Sequence, residues 1–133
     1  MMMASMLIVS CANAQKIKEA EVPTAVKEGF KKHFASVKAE GWEKEGANFE
    51  AEFDLNKVET SALFDPNGNL LETESEIAVA ALPNTVREYL VKNYKGEKVK
   101  EAAKITEANG KVKYEAEIKG KDILFDESGN LLK

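Results

Sequence analysis

The sequence predicts an α+β fold: two tandem copies of a helix followed by antiparallel strands, joined into one curved sheet of about eight strands with both helices on one face. Three observations predict it. Three sequence blocks recur in the same order. Each recurrence opens on an amphipathic helical stripe. Each then changes to a strict period of two.

The blocks are explicit. Val22-Pro23-Thr24-Ala25-Val26-Lys27-Glu28 is echoed by Leu82-Pro83-Asn84-Thr85-Val86-Arg87-Glu88. Phe49-Glu50-Ala51-Glu52-Phe53 is echoed by Tyr114-Glu115-Ala116-Glu117-Ile118. Leu63-Phe64-Asp65-Pro66-Asn67-Gly68-Asn69-Leu70-Leu71 is echoed by Leu124-Phe125-Asp126-Glu127-Ser128-Gly129-Asn130-Leu131-Leu132. The offsets are 60, 65 and 61 residues, so order is kept while loop lengths change. The predicted domain runs over 15–133, with repeats at 22–76 and 82–133.

Each repeat begins with a helix. Pro23 and Pro83 suit a helix start, where a missing N–H costs nothing. Val26, Phe30, Phe34 and Val37 then form an apolar stripe, and Val86, Leu90 and Tyr94 form its counterpart. The second helix is predicted to stop near Lys95-Gly96.

After each helix the pattern becomes that of a strand. Phe49, Ala51, Phe53 and Leu55 alternate with Glu50, Glu52 and Asp54, and Tyr114, Ala116 and Ile118 alternate with Glu115, Glu117 and Lys119. Such alternation marks an antiparallel strand with one face on a core and the other in water. Asn56-Lys57 and Lys119-Gly120-Lys121 are short polar turns into Val58–Phe64 and Asp122–Phe125. Asp65–Asn69 and Asp126–Asn130 reverse the chain again, with Asp as the cap and Gly supplying the positive φ. A further strand is predicted around Lys38–Lys44 and another around Lys98–Glu107, and Asn109-Gly110 is a hairpin turn. The unit is thus one helix and about four strands, made twice.

The N-terminal segment is different. Met1 to Val9 is apolar apart from Ser5, and no charge precedes Lys16. The run is short of the ~20 residues that span a bilayer, and it resembles the hydrophobic region of a signal peptide over 1–14. Ala12-Asn13-Ala14 fits cleavage before Gln15. Ile8-Val9-Ser10-Cys11 fits a lipobox, with Cys11 lipidated. Cys11 is the sole cysteine, so the folded domain has no internal disulfide. The net charge of −4 and the interleaving of signs, as in Lys27-Glu28 and Glu43-Lys44-Glu45, argue against nucleic acid as a partner. Membrane contact is expected only through a lipid anchor at Cys11.

These blocks resemble the PepSY-like, beta-lactamase-inhibitor-like small exported proteins of Bacteroidetes. The resemblance rests on Val22-Pro23 and Leu82-Pro83 opening the helices, and on Trp42-Glu43-Lys44-Glu45 before Phe49-Glu50-Ala51-Glu52-Phe53. Leu63-Phe64-Asp65 with Gly68, Glu72-Thr73-Glu74, Tyr114–Ile118 and Phe125-Asp126 with Gly129 complete it. It covers about 22–133. Ala35-Ser36 departs from the pattern, since relatives often carry Pro there. The resemblance implies a beta-lactamase-inhibitor-like fold and a periplasmic or surface-lipoprotein location in a Gram-negative bacterium. It implies no established reaction, and its name suggests inhibition of an exported hydrolase.

The candidate sites are weighed one by one. His33, the sole histidine, sits three residues after Phe30 without a nucleophile or acid–base partner in a recognisable pattern, and its counterpart is Asn93. It reads as a helix-edge residue. One His and no cysteine pair make zinc improbable chemistry. Asp65–Asn69 with Glu76 departs from an EF-hand loop, which needs Gly where Leu70 stands. No cofactor, metal or catalytic residue is therefore assigned. Glu50 and Glu52 on one strand, and Glu72, Glu74 and Glu76 on another, form carboxylate rows predicted to face solvent. Paired carboxylates also serve glycosidases, but those need a deep pocket. Trp42 would anchor a ligand if it stood on the open face, and would be a core residue on the other. The function expected is a non-catalytic exported binding module. Its ligand, a protein or a small molecule, meets the open sheet face through Trp42, Glu50, Glu52, Glu72, Glu74 and Glu76. The alternative is an inhibitor or regulator of an exported hydrolase.

Overall fold

A computed structural model describes residues 14–132. Cys11 and the apolar run Met1–Val9 lie outside the described residues. Strand β1 (Ala14–Ile17) is followed by a 3-10 turn (Glu19–Glu21) and helix α1 (Thr24–His33). Strands β2 (Gly41–Glu45), β3 (Asn48–Leu55) and β4 (Val58–Phe64) complete the first half. The second half repeats the order: β5 (Leu70–Ile77), a 3-10 turn (Val79–Ala81), α2 (Asn84–Asn93), β6 (Glu101–Glu107), β7 (Val112–Ile118) and β8 (Lys121–Asp126). All eight strands form one antiparallel sheet in sequential order. The fold class is the predicted one, and the strand number agrees.

The phase of the unit differs from the prediction. Each half is a strand, a helix and three strands, so a strand precedes the helix. Ile17 pairs with Trp42 across β1–β2, and Ile77 pairs with Ala102 across β5–β6, 60 residues later in both partners. β5 therefore opens the second half, although all of it but Ile77 lies inside the predicted repeat 22–76. Hairpin lengths account for the changing offsets. The β3–β4 hairpin extends to Leu55↔Val58, past Phe53↔Thr60, whereas β7–β8 closes at Ile118↔Lys121.

Helix boundaries follow from capping. Pro23 precedes α1 and its carbonyl accepts from the Val26 and Lys27 N–H groups. α1 ends at His33, with Phe34 as cap, and α2 ends at Asn93, with Tyr94 as cap. The apolar stripe thus outlasts each helix: Phe34, Val37 and Tyr94 pack from the loop. The predicted stop at Lys95-Gly96 and the predicted strand starts at Lys38 and Lys98 fall in this connecting segment instead.

Both helices cover the same sheet face. Val26, Phe30, Trp42, Phe53 and Phe64 make one core, and Val86, Leu90, Ala102, Ile118 and Phe125 make the other. Phe30 meets Phe53 at a centroid distance of 5.1 Å and Trp42 at 5.6 Å. The row Phe53, Thr60, Ser75, Lys104, Tyr114, Phe125 crosses the sheet on this face, so polar residues at its centre separate the cores.

The Asp turns are structural. Asp65 Oδ1 accepts from the backbone N–H of Asn67 and Asn69, and Oδ2 accepts from Asn69 Nδ2. Asp126 makes the same three bonds with Ser128 and Asn130. These bonds hold both carboxyls below the usual Asp range: Asn69's side-chain donor dominates at Asp65, and the Asn130 backbone N–H at Asp126. The first turn also docks on α1. A Cβ on Gly68 would strike the Ala25 carbonyl, and a Cβ on Gly29 would strike the Gly68 carbonyl. Gly29→Ala should therefore destabilise the protein by ~1–3 kcal/mol through overpacking. Helix propensity alone would stabilise that variant by ~1 kcal/mol. Urea denaturation checks the sign.

A crowded carboxylate face

The helix-free face is built by strand parity. Glu43 stands opposite Glu50, Glu50 opposite Leu63, Leu63 opposite Glu72 and Glu72 opposite Glu107. The next row runs Glu52, Ser61, Glu74, Ile105, Lys113. Glu76, Ala103, Glu115 and Leu124 form a third, and Glu101, Glu117 and Asp122 a fourth. Among the strand residues of this face, Lys16 and Lys113 are the cations, and Lys113 Nζ binds Glu107 at 2.8 Å.

This face is not the solvated surface that alternation predicts. Glu50 is 1% exposed and Glu74 2%, and Glu115 and Glu117 are also buried. Glu52, Glu72 and Glu76 are half-buried. Parity assigned the side of the sheet correctly but not its depth. The long side chains of neighbouring strands on this face cover one another, which alternation within one strand does not register.

Trp42 lies on the other side. It is buried beneath α1 against Phe30, so it offers no anchor on the helix-free face. Its register with Ile17 and Ala51 places it there, a pairing set by β1, which sequence reading had not located. His33 is exposed at the end of α1, 6.4 Å between ring centroids from Phe64 and far from the carboxylate rows in the layer order.

The buried carboxyls lack partners. Glu45 Oε1, Glu50 Oε1, Glu115 Oε2 and both oxygens of Glu74 receive no hydrogen bond among the described residues. Burial is the main cause that raises Glu45, Glu50, Glu52, Glu72, Glu74, Glu115 and Asp122. Glu74 is pushed up to about 8 by burial, then by Glu72, Asp122 and Glu45. Glu115 is pushed up to about 9 by burial, then by Glu74, Asp122 and Glu117. Glu50 is raised by burial and then by the Glu45 charge, and Glu45 is raised too, chiefly by burial. Glu52, Glu72 and Asp122 are raised too, again chiefly by burial.

One grouping has the spacing of a cation shell. Carboxylate oxygens of Glu43, Glu45 and Glu50 lie within 4.8 Å of one another. All-oxygen sets suit hard ions such as calcium rather than zinc. Sequence reading assigned no metal and did not name Glu43, Glu45, Glu115, Glu117 or Asp122 as binding residues. The signal for two of them was present: Glu115 and Glu117 are the counterparts of Glu50 and Glu52 in the recurring block.

The profile of the family described as "Putative beta-lactamase-inhibitor-like, PepSY-like" matches residues 8–71 and 47–133. No curated protein matches the sequence. Similar solved structures come from Bacteroides. A "putative periplasmic" protein of Bacteroides eggerthii superposes with a TM-score of 0.75 at 18% identity, covering 84% of this chain and 86% of that one. A DUF2874 family protein of Bacteroides uniformis gives 0.74 at 18% identity, covering 84% and 86%. A BLIP-like protein of Bacteroides fragilis gives 0.62 at 27% identity, covering 84% of each chain. These likenesses show the fold.

The raised carboxyls make a stability prediction. Their folded-state values exceed the ordinary Glu value of 4.5. The stability they allow is therefore fully present below about pH 4.5 and is lost as pH rises through about 8 and 9. The melting temperature should fall between pH 6 and pH 9. Glu74→Gln should stabilise the protein by ~1–3 kcal/mol at pH 8 and flatten that fall. Thermal melts across the pH range check both statements.

Proposed function

This chain belongs to the PepSY-like, beta-lactamase-inhibitor-like family, and we propose that it is an exported, non-catalytic binding module of the cell envelope whose helix-free face receives a cationic segment of a protein partner. The observation that carries this reading is the set of like charges placed directly across from each other. Glu43 faces Glu50, Asp54 faces Glu59, Glu72 faces Glu107, and Glu117 faces both Glu101 and Asp122. Like charges directly opposite destabilise a sheet. Folding gives no reason for such rows, and places where a chain departs from its own stability are where function is expected.

A lysine or arginine entering this face would supply the missing partners. Buried acceptors such as those of Glu50 and Glu74 are strong ones, because water no longer competes for them. Cation and proton then compete for the same oxygens. Binding should release protons and strengthen as pH rises toward 8 to 9. Export is supported by the signal-like segment Met1–Val9 and by the description of the Bacteroides eggerthii neighbour as periplasmic. A lipid anchor at Cys11 is the alternative to simple secretion.

A second reading is inhibition of an exported hydrolase. It is supported by the likeness to the BLIP-like protein of Bacteroides fragilis. Both readings use a protein partner, and capture separates them. Chain immobilised on resin should retain an envelope protein at low ionic strength and release it in about 0.5 M salt, where screening is nearly complete. Replacing Glu50, Glu52 and Glu74 together by Gln should reduce retention at least tenfold while leaving the protein as stable or more stable. Retention indifferent to both salt and the triple change would contradict the proposal. A captured hydrolase that loses activity on the resin would favour the inhibitor reading.

A further inference from the structure

We propose that the groove beside α2, on the sheet face opposite the carboxylates, binds a small amphipathic organic anion. Its apolar body would lie in the groove and its anionic head over Arg87, Lys92 and Lys95. Two adjoining cavities make the site. One, of about 340 Å³, is walled mainly by Val79, Leu82, Leu90, Val91, Tyr94 and Val99. The other, of about 460 Å³, is lined by Arg87, Lys92 and Lys95 with Asn84 and Glu88. Arg87, Val91 and Lys95 border both, so an apolar compartment opens directly into a cationic one.

The two halves of the chain give an internal comparison. The corresponding groove beside α1, of about 300 Å³, is floored by Phe30 and Trp42 and rimmed by Glu19 and Lys31. At an offset of 60 residues these become Leu90, Ala102, Val79 and Val91. The fold is the same in both halves, so it does not require an apolar rim. The second half carries one regardless. Val91 is 72% exposed, well above Val58, Leu131 and Leu132, the other exposed large apolar residues among the described residues. A lone exposed valine means little, but one at the mouth of an apolar cavity marks a binding groove.

Charge chooses the occupant. Arg87, Lys92 and Lys95 gather at the mouth of a chain whose net charge is −4. Lys92 alone could be placed by the dipole at the end of α2. Arg87 cannot, because it sits in the helix's first turn, where a cation is disfavoured. Its guanidinium donates to Asn84 Oδ1, which steadies it at the cavity edge with other donors left over. Glu97, which also borders the apolar cavity, is tied to Lys119 Nζ at 2.9 Å. A carboxylate head on a chain of several carbons matches this arrangement.

The test is a titration of the purified chain with sodium decanoate, followed by ¹H–¹⁵N NMR. Acetate supplies the head without the body, and decyltrimethylammonium supplies the body with the opposite charge. Saturable shifts are expected at Val79, Val91, Tyr94 and Lys95 with decanoate. Acetate should give none, and decyltrimethylammonium should bind at least tenfold more weakly. Val91→Glu, an exposed change to a good helix former, should weaken decanoate at least tenfold with the fold intact. Arg87→Gln should remove most of the preference for the anion. The proposal is overturned by non-saturable shifts, by equal affinity for both detergent charges, or by unchanged binding in Val91→Glu.

Discussion

Two ten-residue helices can cover only one face of an eight-stranded sheet. That constraint organises the molecule. On the covered face the strands carry Phe, Ile and Ala, and each helix seals its own core. On the uncovered face apolar side chains would have been exposed, and the sequence places glutamates there instead. Several of those glutamates are nonetheless buried. Charge that was harmless on a flat surface becomes crowded and desolvated, and the proton becomes the cheapest counter-ion in reach.

Two sets of acidic residues have opposite physics. Asp65 and Asp126 are satisfied by their own turns, lie at the surface and titrate below the usual range. Their chemistry is consumed in holding each turn, and Gly68 lets the first of these turns approach α1. Glu50, Glu74 and Glu115 have the opposite surroundings: buried, short of donors and surrounded by like charge. The second set leaves acceptor oxygens without hydrogen-bond partners. The groove beside α2 adds a cationic and apolar surface on the other face.

Much of this was legible in the sequence. Alternation in Phe49–Leu55 and Tyr114–Ile118 gave the strands and their sides, and the echoing Val22-Pro23 and Leu82-Pro83 gave the helix starts. β1 escaped because four residues, Ala14–Ile17, carry no alternation and adjoin the signal-like segment. Without β1 the unit looked like helix-then-strands, and the partner that turns Trp42 inward was missing. The candidate site was half legible. Glu50, Glu52, Glu72, Glu74 and Glu76 do share one face, as their parity requires. Their burial depends on neighbours from several strands, and no period in one strand encodes those.

The central claim is that Glu74 and Glu115 are held neutral at physiological pH by the fold itself. Side-chain carboxyl ¹³C shifts, followed by NMR from pH 3 to pH 10, measure this residue by residue. The account predicts a midpoint near 8 for Glu74 and near 9 for Glu115. Midpoints for both near the ordinary value of 4.5 would contradict it.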